Sequence, residues 1–589
     1  MDQTTAEISK HNSNAVLAPR MFFAVGMSIV VHFLLSLSSM SGVILMTNLD
    51  ITHPLEWLRN TWNVVTCLRM WTNFIIFSVV VFFLGITCRK NYLNPPKYAS
   101  SRFVKFCYFF TPTNLKLGML YMLLGGVLAW LHMSVEGGRF GSLIKKCDRI
   151  GKYCLVEEHY FLLLEGFWIG IYFFFNSNYM GLHNLQFPII PLSKITQVKR
   201  GIRSMISNAL LDGLWPVFYF FGFYAMFGSY CRDILVIPAS LSLEDIPLDK
   251  FSKLLNISLF FHAWLYAVLF VLIIQSMHLL FQAFLTQWIQ FDIETVQFIE
   301  KPTTITLTDA LAMESTPILQ QLGYLDLVTV AQKDKMRRCK LFTLSQPGGH
   351  PYNWNRVVEK SLSLIEKFSE QLNSACSAQK SQVTQQSNPM SNTLSSPITN
   401  RTYTYQMRNL VSPMVANFSI TPQKADINCK TESTDNFVIQ FYKNLRTSVV
   451  NYFLSKKPIS YIFAEQFENK IRHLLINAQA IIWASDAISS LAALSLTEDP
   501  YGIVQKNLHE IIEVLLRLKQ SLDKLQKLNI SMRKPVSDDR LLRQTLTTLR
   551  STVRRSLYRI VSHFKNYIND LELAPLTIDQ LQPFFTYRE

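Results

Sequence analysis

The residues most able to do chemistry in this chain are few and scattered. Glu165 and Asp212 each sit in a run of apolar residues, where a carboxyl is costly and often marks an ion path. A transporter built on them would add several facing charges, Gly/Pro-broken helices and an internal repeat. The chain offers Pro216 as a kink and no convincing repeat. Glu165 is therefore expected to be paired structurally inside a helix bundle, and a transporter or channel using Glu165 and Asp212 is the alternative reading. The nine cysteines form no CxxC or CxxH pair, which argues against a zinc site. Cys147 and Cys154 are near enough in sequence for a disulfide in an oxidising compartment, or for two free thiols. Pro347-Gly348-Gly349 has the look of a phosphate cradle, but no Lys-Ser/Thr follows, and that excludes a P-loop. His350 has no companion ligands and is expected to be a hydrogen-bonded loop residue. No Ser/His/Asp set or paired carboxylates emerge, so the chain reads as no enzyme, with no cofactor or metal.

The elements that must position these residues are apolar helices. Of 589 residues, 49% are hydrophobic and only 17% charged, with a mean hydropathy of +0.16. A soluble domain carries about 25% charged residues, so the deficit points to a bilayer. Six runs are long enough to cross one: Met21–Met46, Trp71–Thr87, Leu117–Met133, Tyr160–Phe175, Ala209–Tyr230 and Leu255–Leu285. The first follows a polar tail, residues 1–20, and reads as a retained signal anchor. Two loops are purely basic: one carries Arg89, Lys90, Lys97, Arg102, Lys105 and Lys116, the other Lys194, Lys199, Arg200 and Arg203. They alternate with mixed or acidic loops, so both termini are expected on the cytoplasmic side. The net charge of +16 is then flanking charge near anionic headgroups rather than a nucleic-acid surface.

After Leu285 no comparable apolar run returns. Pro317 can open a short helix at its first position, and a further helix is expected from about Asn355 to Leu372. Residues 374–435 turn Ser-, Thr-, Gln- and Asn-rich and read as a disordered linker between helical parts at 286–373 and 436–589. Ser396, Ser412 and Thr421 each precede a proline there, a pattern open to a proline-directed kinase. From Phe437 a basic amphipathic helix is expected, then an almost uncharged one over Ile471–Leu496. Val504, Leu508, Ile511, Leu515, Leu518, Leu522 and Leu525 step alternately by four and three, the seam of a bundle or coiled coil. A last helix from Ser537 has an apolar stripe from Leu542 to Ile568. Arg543, Arg550, Arg554, Arg555, Arg559 and Lys565 form a basic face on it, either solvated or a dock for an acidic partner. The fold class is all-α: a six-span membrane protein followed by a cytoplasmic helical domain interrupted by the linker.

Several stretches resemble the transmembrane nucleoporin Ndc-one (nuclear division cycle protein one) family. They are His53-Pro-Leu-Glu-Trp-Leu58, Glu158-His-Tyr-Phe-Leu-Leu-Leu164, Phe187-Pro-Ile-Ile190, Leu255–Leu265, Phe342–Trp354 and Thr497-Glu-Asp-Pro-Tyr-Gly-Ile-Val504. The most specific is the loop around Gln346, Pro347, Gly348, Gly349, His350, Pro351 and Trp354. The resemblance covers nearly the whole chain and fades in the linker. It implies an integral protein of the nuclear pore membrane, with both ends facing cytoplasm and pore and alternate loops in the perinuclear lumen. It also implies anchoring of soluble nucleoporins through the C-terminal half, among them the membrane-binding inner-ring nucleoporins and the WD-repeat nucleoporin Aladin. No small-molecule substrate or nucleic acid is implied.

Overall fold

The computed structural model describes residues 2–47, 53–93, 98–136, 140–146, 153–180, 185, 187, 193–239, 242–243, 248, 256–293, 305–344, 349–386, 456, 461–463, 467–527, 537–571 and 573–585. Cys147, Gln346, Pro347, Gly348, Ser396, Ser412, Thr421 and the basic helix expected from Phe437 lie outside the described residues, apart from Lys456. Contacts divide the chain into two units, Met1–Cys376 with Gln466–Glu589, and Ser377–Glu465. The first carries both the apolar helices and the C-terminal ones.

In chain order the first half contains α1 (Asp2–Thr47), α2 (Pro54–Val65), α3 (Leu68–Leu93), α4 (Arg102–Phe109) and α5 (Pro112–Glu136). It continues with α6 (Glu157–Met180), α7 (Lys194–Asp212), α8 (Leu214–Ala239) and α9 (Ile257–Leu285). Each of the six apolar runs falls in a helix or helix pair long and apolar enough to cross a bilayer. A further helix in the C-terminal half, Ala478–Glu498, meets the same test of length and composition, though 83% of its apolar window is buried inside the protein.

The fifth run differs from expectation. It is two helices meeting at Gly213, and Pro216 sits harmlessly in the first turn of α8. A Cβ at Gly213 would lie 3.0 Å from the Ala209 carbonyl oxygen and 3.0 Å from a Val268 methyl, so the junction of the two helices presses closely on α9. The tightest crossing is between α5 and α6. A Cβ on Gly125 would lie 2.1 Å from the Gly166 carbonyl oxygen, and one on Gly170 would lie 2.3 Å from that of Tyr121. Small residues let helix backbones meet in this way where lipid supplies no hydrophobic drive between helices.

Contacts sort the helix ends into two sets. At one end Arg20 donates to the Gln287 carbonyl at 2.7 Å, Tyr92 stacks on Phe281 at 4.8 Å, and the Lys194 ammonium lies 4.7 Å from the Phe284 ring centre. At the other, Trp57 Nε1 donates to the Leu45 carbonyl at 3.0 Å and Asn73 to Ser134 at 2.9 Å. That second end also holds a small sheet. Strands β1 (Ile144–Lys146) and β2 (Tyr153–Leu155) are antiparallel, with Lys145 opposite Cys154, and β3 (Ser242–Leu243) runs parallel to β2. Glu157 clamps the sheet region to α8. It accepts from Tyr224 at 2.9 Å, from Arg232 at 3.1 Å and from the Leu248 N–H at 3.0 Å.

The C-terminal helices are α10 (Leu307–Ala312), α11 (Pro317–Lys333), α12 (Lys335–Leu341), α13 (Tyr352–Gln386), α14 (Phe467–Ile476), α15 (Ala478–Glu498), α16 (Gln505–Lys527), α17 (Ser537–His563) and α18 (Pro575–Phe585). α13 overruns both its expected end and the expected start of the linker, reaching Gln386. The single helix expected over Ile471–Leu496 is two, broken at Asn477. α15 packs between α11 and α17 and is buried on nearly every face. Its many Ala and Ser residues let both neighbours approach, which explains its even apolarity. The alternating four-three seam, Val504 to Leu525, is buried throughout.

Candidate functional site: the joint between the span bundle and the C-terminal helices

A module that leaves a membrane helix keeps a fixed pose only if the exit is held. After α9 the chain places Trp288 and Phe291 against Asp326, a lone carboxylate in the apolar run of α11. Asp326 is wholly buried. It accepts from Trp288 Nε1 at 3.1 Å, from the Phe291 N–H at 3.0 Å, and from both terminal nitrogens of Arg337 at 3.0 and 2.7 Å. Arg337 also donates to the Phe291 carbonyl. Paired and hydrogen-bonded in this way, the two buried charges offset part of their desolvation. Leu307 N–H donates to the Asp292 carbonyl at 2.9 Å, which fastens the start of α10 to the same exit segment.

The next residue, Arg338, turns to the other side and forks onto Glu498 with two bonds of 2.9 Å. The neighbouring Asp499 accepts from the N–H groups of Tyr501 and Val504, each at 3.0 Å, and Gly502 takes φ +62°, where a side chain would be strained. The motif Thr497–Val504 is thus a turn that caps α15, grips α12 and starts the seam of α16. The other loop that carried the resemblance meets it. Trp354 is wholly buried, its ring 5.6 Å from Phe342, and its Nε1 donates to Asn507 at 3.3 Å. Pro351 accepts from the Asn355 N–H, opening α13. His350 is exposed and contributes its backbone carbonyl to Tyr352; Gly349 is half-buried beside it. Rings from two basic loops touch neighbouring C-terminal helices, Tyr98 on His473 of α14 at 5.6 Å and Phe187 on Trp483 of α15 at 5.9 Å.

The hydrogen bonds from Arg338 hold the Glu498 carboxyl below the usual carboxylate range, and Glu498 in turn raises Arg338. A carboxyl depressed on folding stabilises fully above its unfolded pKa, and that contribution is lost as pH falls through the folded one. The stability gap between the native chain and Glu498→Gln is therefore expected to be constant near pH 7. It should close only in acid below the ordinary glutamate range, as read by thermal unfolding across pH.

The structure corrects two expectations. Glu165 is fully buried in α6, yet neither carboxyl oxygen hydrogen-bonds to a described residue, so the structural pairing expected of it is not there. Asp212 is exposed at the end of α7, and the two carboxyls are not brought together in one interior site. The basic face of α17 is also divided. Arg559 reaches Asp486 at 3.0 Å and Arg555 lies 3.6 Å from the same carboxylate. Arg559 also bonds to Ser489 and Ser490. Arg550 pairs with Asp523 at 3.1 Å. Three of the six bases therefore serve internal acids, because α15 and α16 place carboxylates beneath them. Arg543 and Lys565 are exposed and Arg554 is half-buried. Cys154 is disulfide-bonded, and its partner is not among the described residues.

Sequence reasoning missed Asp326, Arg337, Arg338, Glu498 and Asp486. The available signal was a solitary carboxylate inside an apolar helical stripe, Leu325-Asp326-Leu327, followed by adjacent arginines.

The family described as "Nucleoporin protein Ndc1-Nup" matches residues 15–582. Nucleoporin NDC1 of Mus musculus is 25% identical over 639 residues, covering 93% of this chain and 94% of that protein. The Homo sapiens protein of the same name is 25% identical over 638 residues, with the same coverage. Nucleoporin Ndc1 of Drosophila melanogaster is 25% identical over 598 residues, covering 98% and 99%. A match from within the first apolar helix through most of α18 takes in every helix wholly or in part, and the chain belongs to the Ndc1 nucleoporin family.

Proposed function

We propose that this nuclear pore membrane nucleoporin anchors the pore complex through six spans and recruits soluble nucleoporins with its C-terminal helices. The observation that carries the reading is the joint. Asp326 and Arg337 fix the helical module to the exit of α9 through buried, hydrogen-bonded charges, and Arg338 with Glu498 ties the next helix into the module, which suits a scaffold that must transmit position. The seventh apolar helix, α15, is enclosed by α11 and α17 and is counted with the module, not with the spans. The basic loops then put both termini and the module on the cytoplasmic and pore side, and α2 with the small sheet in the lumen. The partners implied by family resemblance are the membrane-binding inner-ring nucleoporins and Aladin, docking on the module with Arg543, Arg554 and Lys565 among the exposed or half-exposed bases.

Expressed in cells lacking the native protein, the full chain and residues 1–285 alone are both expected at the nuclear envelope, and only the full chain should capture soluble nucleoporins. Equal capture by the shorter chain would remove the recruitment role from the C-terminal half. The buried, unpartnered Glu165 favours one second reading, an ion path. Loss of a measurable solute flux in Glu165→Gln, with nucleoporin capture intact, would establish it over the anchor.

In the lumen, we assign Cys147 as the partner of Cys154. Lys145 lies opposite Cys154 in the β1–β2 ladder, and Cys147 is two residues further along the sequence. Non-reducing mass spectrometry of the native chain is expected to recover the two peptides linked; alkylation of both thiols without reductant would remove the bridge.

A further inference from the structure

Helix α2, between the first two apolar helices, has three distinct sectors. Trp57, Thr61 and Val64 turn to the bundle. Trp57 bonds to the Leu45 carbonyl, Thr61 is buried, and Val64 packs against the cluster of Met40, Ile44, Met70 and Phe74. Glu56, Arg59, Asn60 and Asn63 form an exposed polar sector. Between the two, Leu55, Leu58 and Trp62 recur at helical spacing and are 81%, 53% and 68% exposed. Nearly half the circumference is thus apolar, but the bundle covers only part of it.

Position says what covers the rest. Trp57 is held at the last turn of α1 and Val64 at the first turn of α3, so α2 lies level with the ends of two membrane helices. Thr66 and Cys67 alone lie between it and α3 in the sequence, held by bonds from the Thr66 N–H to Trp62, the Cys67 N–H to Val64 and the Met70 N–H to Cys67, which leaves the helix little slack to swing away. Its bare stripe continues the exposed apolar surface of those helices, where Met46, Leu68, Trp71 and Ile75 are 76%, 78%, 48% and 64% exposed. A tryptophan at that level, with an apolar body and a polar edge, suits the boundary between acyl chains and headgroups. The polar sector holds one acid and one base, so apolar insertion, not attraction to anionic lipid, must hold it.

We propose that α2 lies in the plane of the membrane, with Leu55, Leu58 and Trp62 inserted among the acyl chains and its polar sector at the headgroups. The leaflet, lumenal, rests on the span topology proposed above. The protein thereby grips one leaflet laterally as well as crossing the bilayer.

The test places benzoylphenylalanine at Leu58, Trp62 or Asn63 in the full-length chain, in nanodiscs of phosphatidylcholine alone and in nuclear envelopes. Illumination is expected to give lipid adducts from positions 58 and 62 and at least tenfold fewer from 63. Protein adducts from 58 and 62, whether a second copy or an envelope partner, would overturn the proposal, as would equal lipid adducts at all three positions or none. Leu55 provides a fourth, exposed position if one variant misfolds. The leaflet is read separately with the exposed native Cys67. A membrane-impermeant maleimide should label it in sealed envelope vesicles only after the membrane is opened. Labelling without opening overturns the lumenal assignment and the topology together, whereas failed lipid adducts with a protected Cys67 overturn the in-plane helix alone.

Discussion

Replacing Asp326 with alanine is expected to lower the stability of the C-terminal helices by about 3–5 kcal/mol, the range for breaking a buried ion pair. Four donors converge on this carboxylate, and its loss strands the Arg337 guanidinium in a site where side-chain exposure is only 10%. Trp288 and Phe291 lose their acceptor at the same time, so the exit of α9 loosens along with α11. Thermal unfolding of the detergent-solubilised full chain, followed by limited proteolysis after Lys333 and Lys335, is the measurement. A midpoint and cleavage pattern like the native chain's would contradict the account. The double variant Asp326→Leu with Arg337→Met removes both charges and is expected to recover much of the loss, since a stranded charge, not a missing attraction, is the main penalty.

Valine at Gly125 or Gly170 is expected to be worse tolerated than any other small-to-large change in the bundle. Overpacking a well-packed core costs about 1–3 kcal/mol and sometimes more. Here the new Cβ would lie 2.1 or 2.3 Å from a backbone oxygen, which cannot rotate away as a side chain could. Helices α5 and α6 would have to separate along their whole crossing. Gly26, Gly42 and Gly222 are the internal controls, because a Cβ on any of them meets nothing within 4 Å. Size-exclusion profiles of full-length variants should therefore lose the monodisperse peak for Gly125→Val and Gly170→Val and keep it for Gly26→Ala and Gly222→Ala. A native profile for Gly125→Val would contradict a backbone-to-backbone crossing of α5 and α6.

These two sites show what a sequence can and cannot reveal. The apolar runs and the Val504–Leu525 seam were legible because each is periodic within one helix, and periodicity is a local property. The resemblance motifs were legible as motifs, but their work was not: Trp354 reaches Asn507, and Glu498 reaches Arg338, across separations no local pattern encodes. Composition also cannot distinguish burial in lipid from burial in protein. That is why Ala478–Glu498 passes as a membrane-length helix although α11 and α17 enclose it. The basic face of α17 was overcounted for the same reason, since Asp486 and Asp523 lie on other helices and compensate Arg559, Arg555 and Arg550 only after folding. A lone carboxyl such as Glu165 in an apolar run usually demands a partner when buried, and the packing of α6 supplies none among the described residues.

In the proposed function, the C-terminal helices form the face on which soluble nucleoporins dock, on the side of the membrane opposite the small sheet. Lysine crosslinking in intact nuclear envelopes, read by mass spectrometry, tests it most directly. The exposed Lys333, Lys340, Lys506 and Lys565 should crosslink to soluble nucleoporins, whereas Lys145 in the sheet should not. Crosslinks from Lys145 to soluble nucleoporins, or none from the four C-terminal lysines, would contradict it.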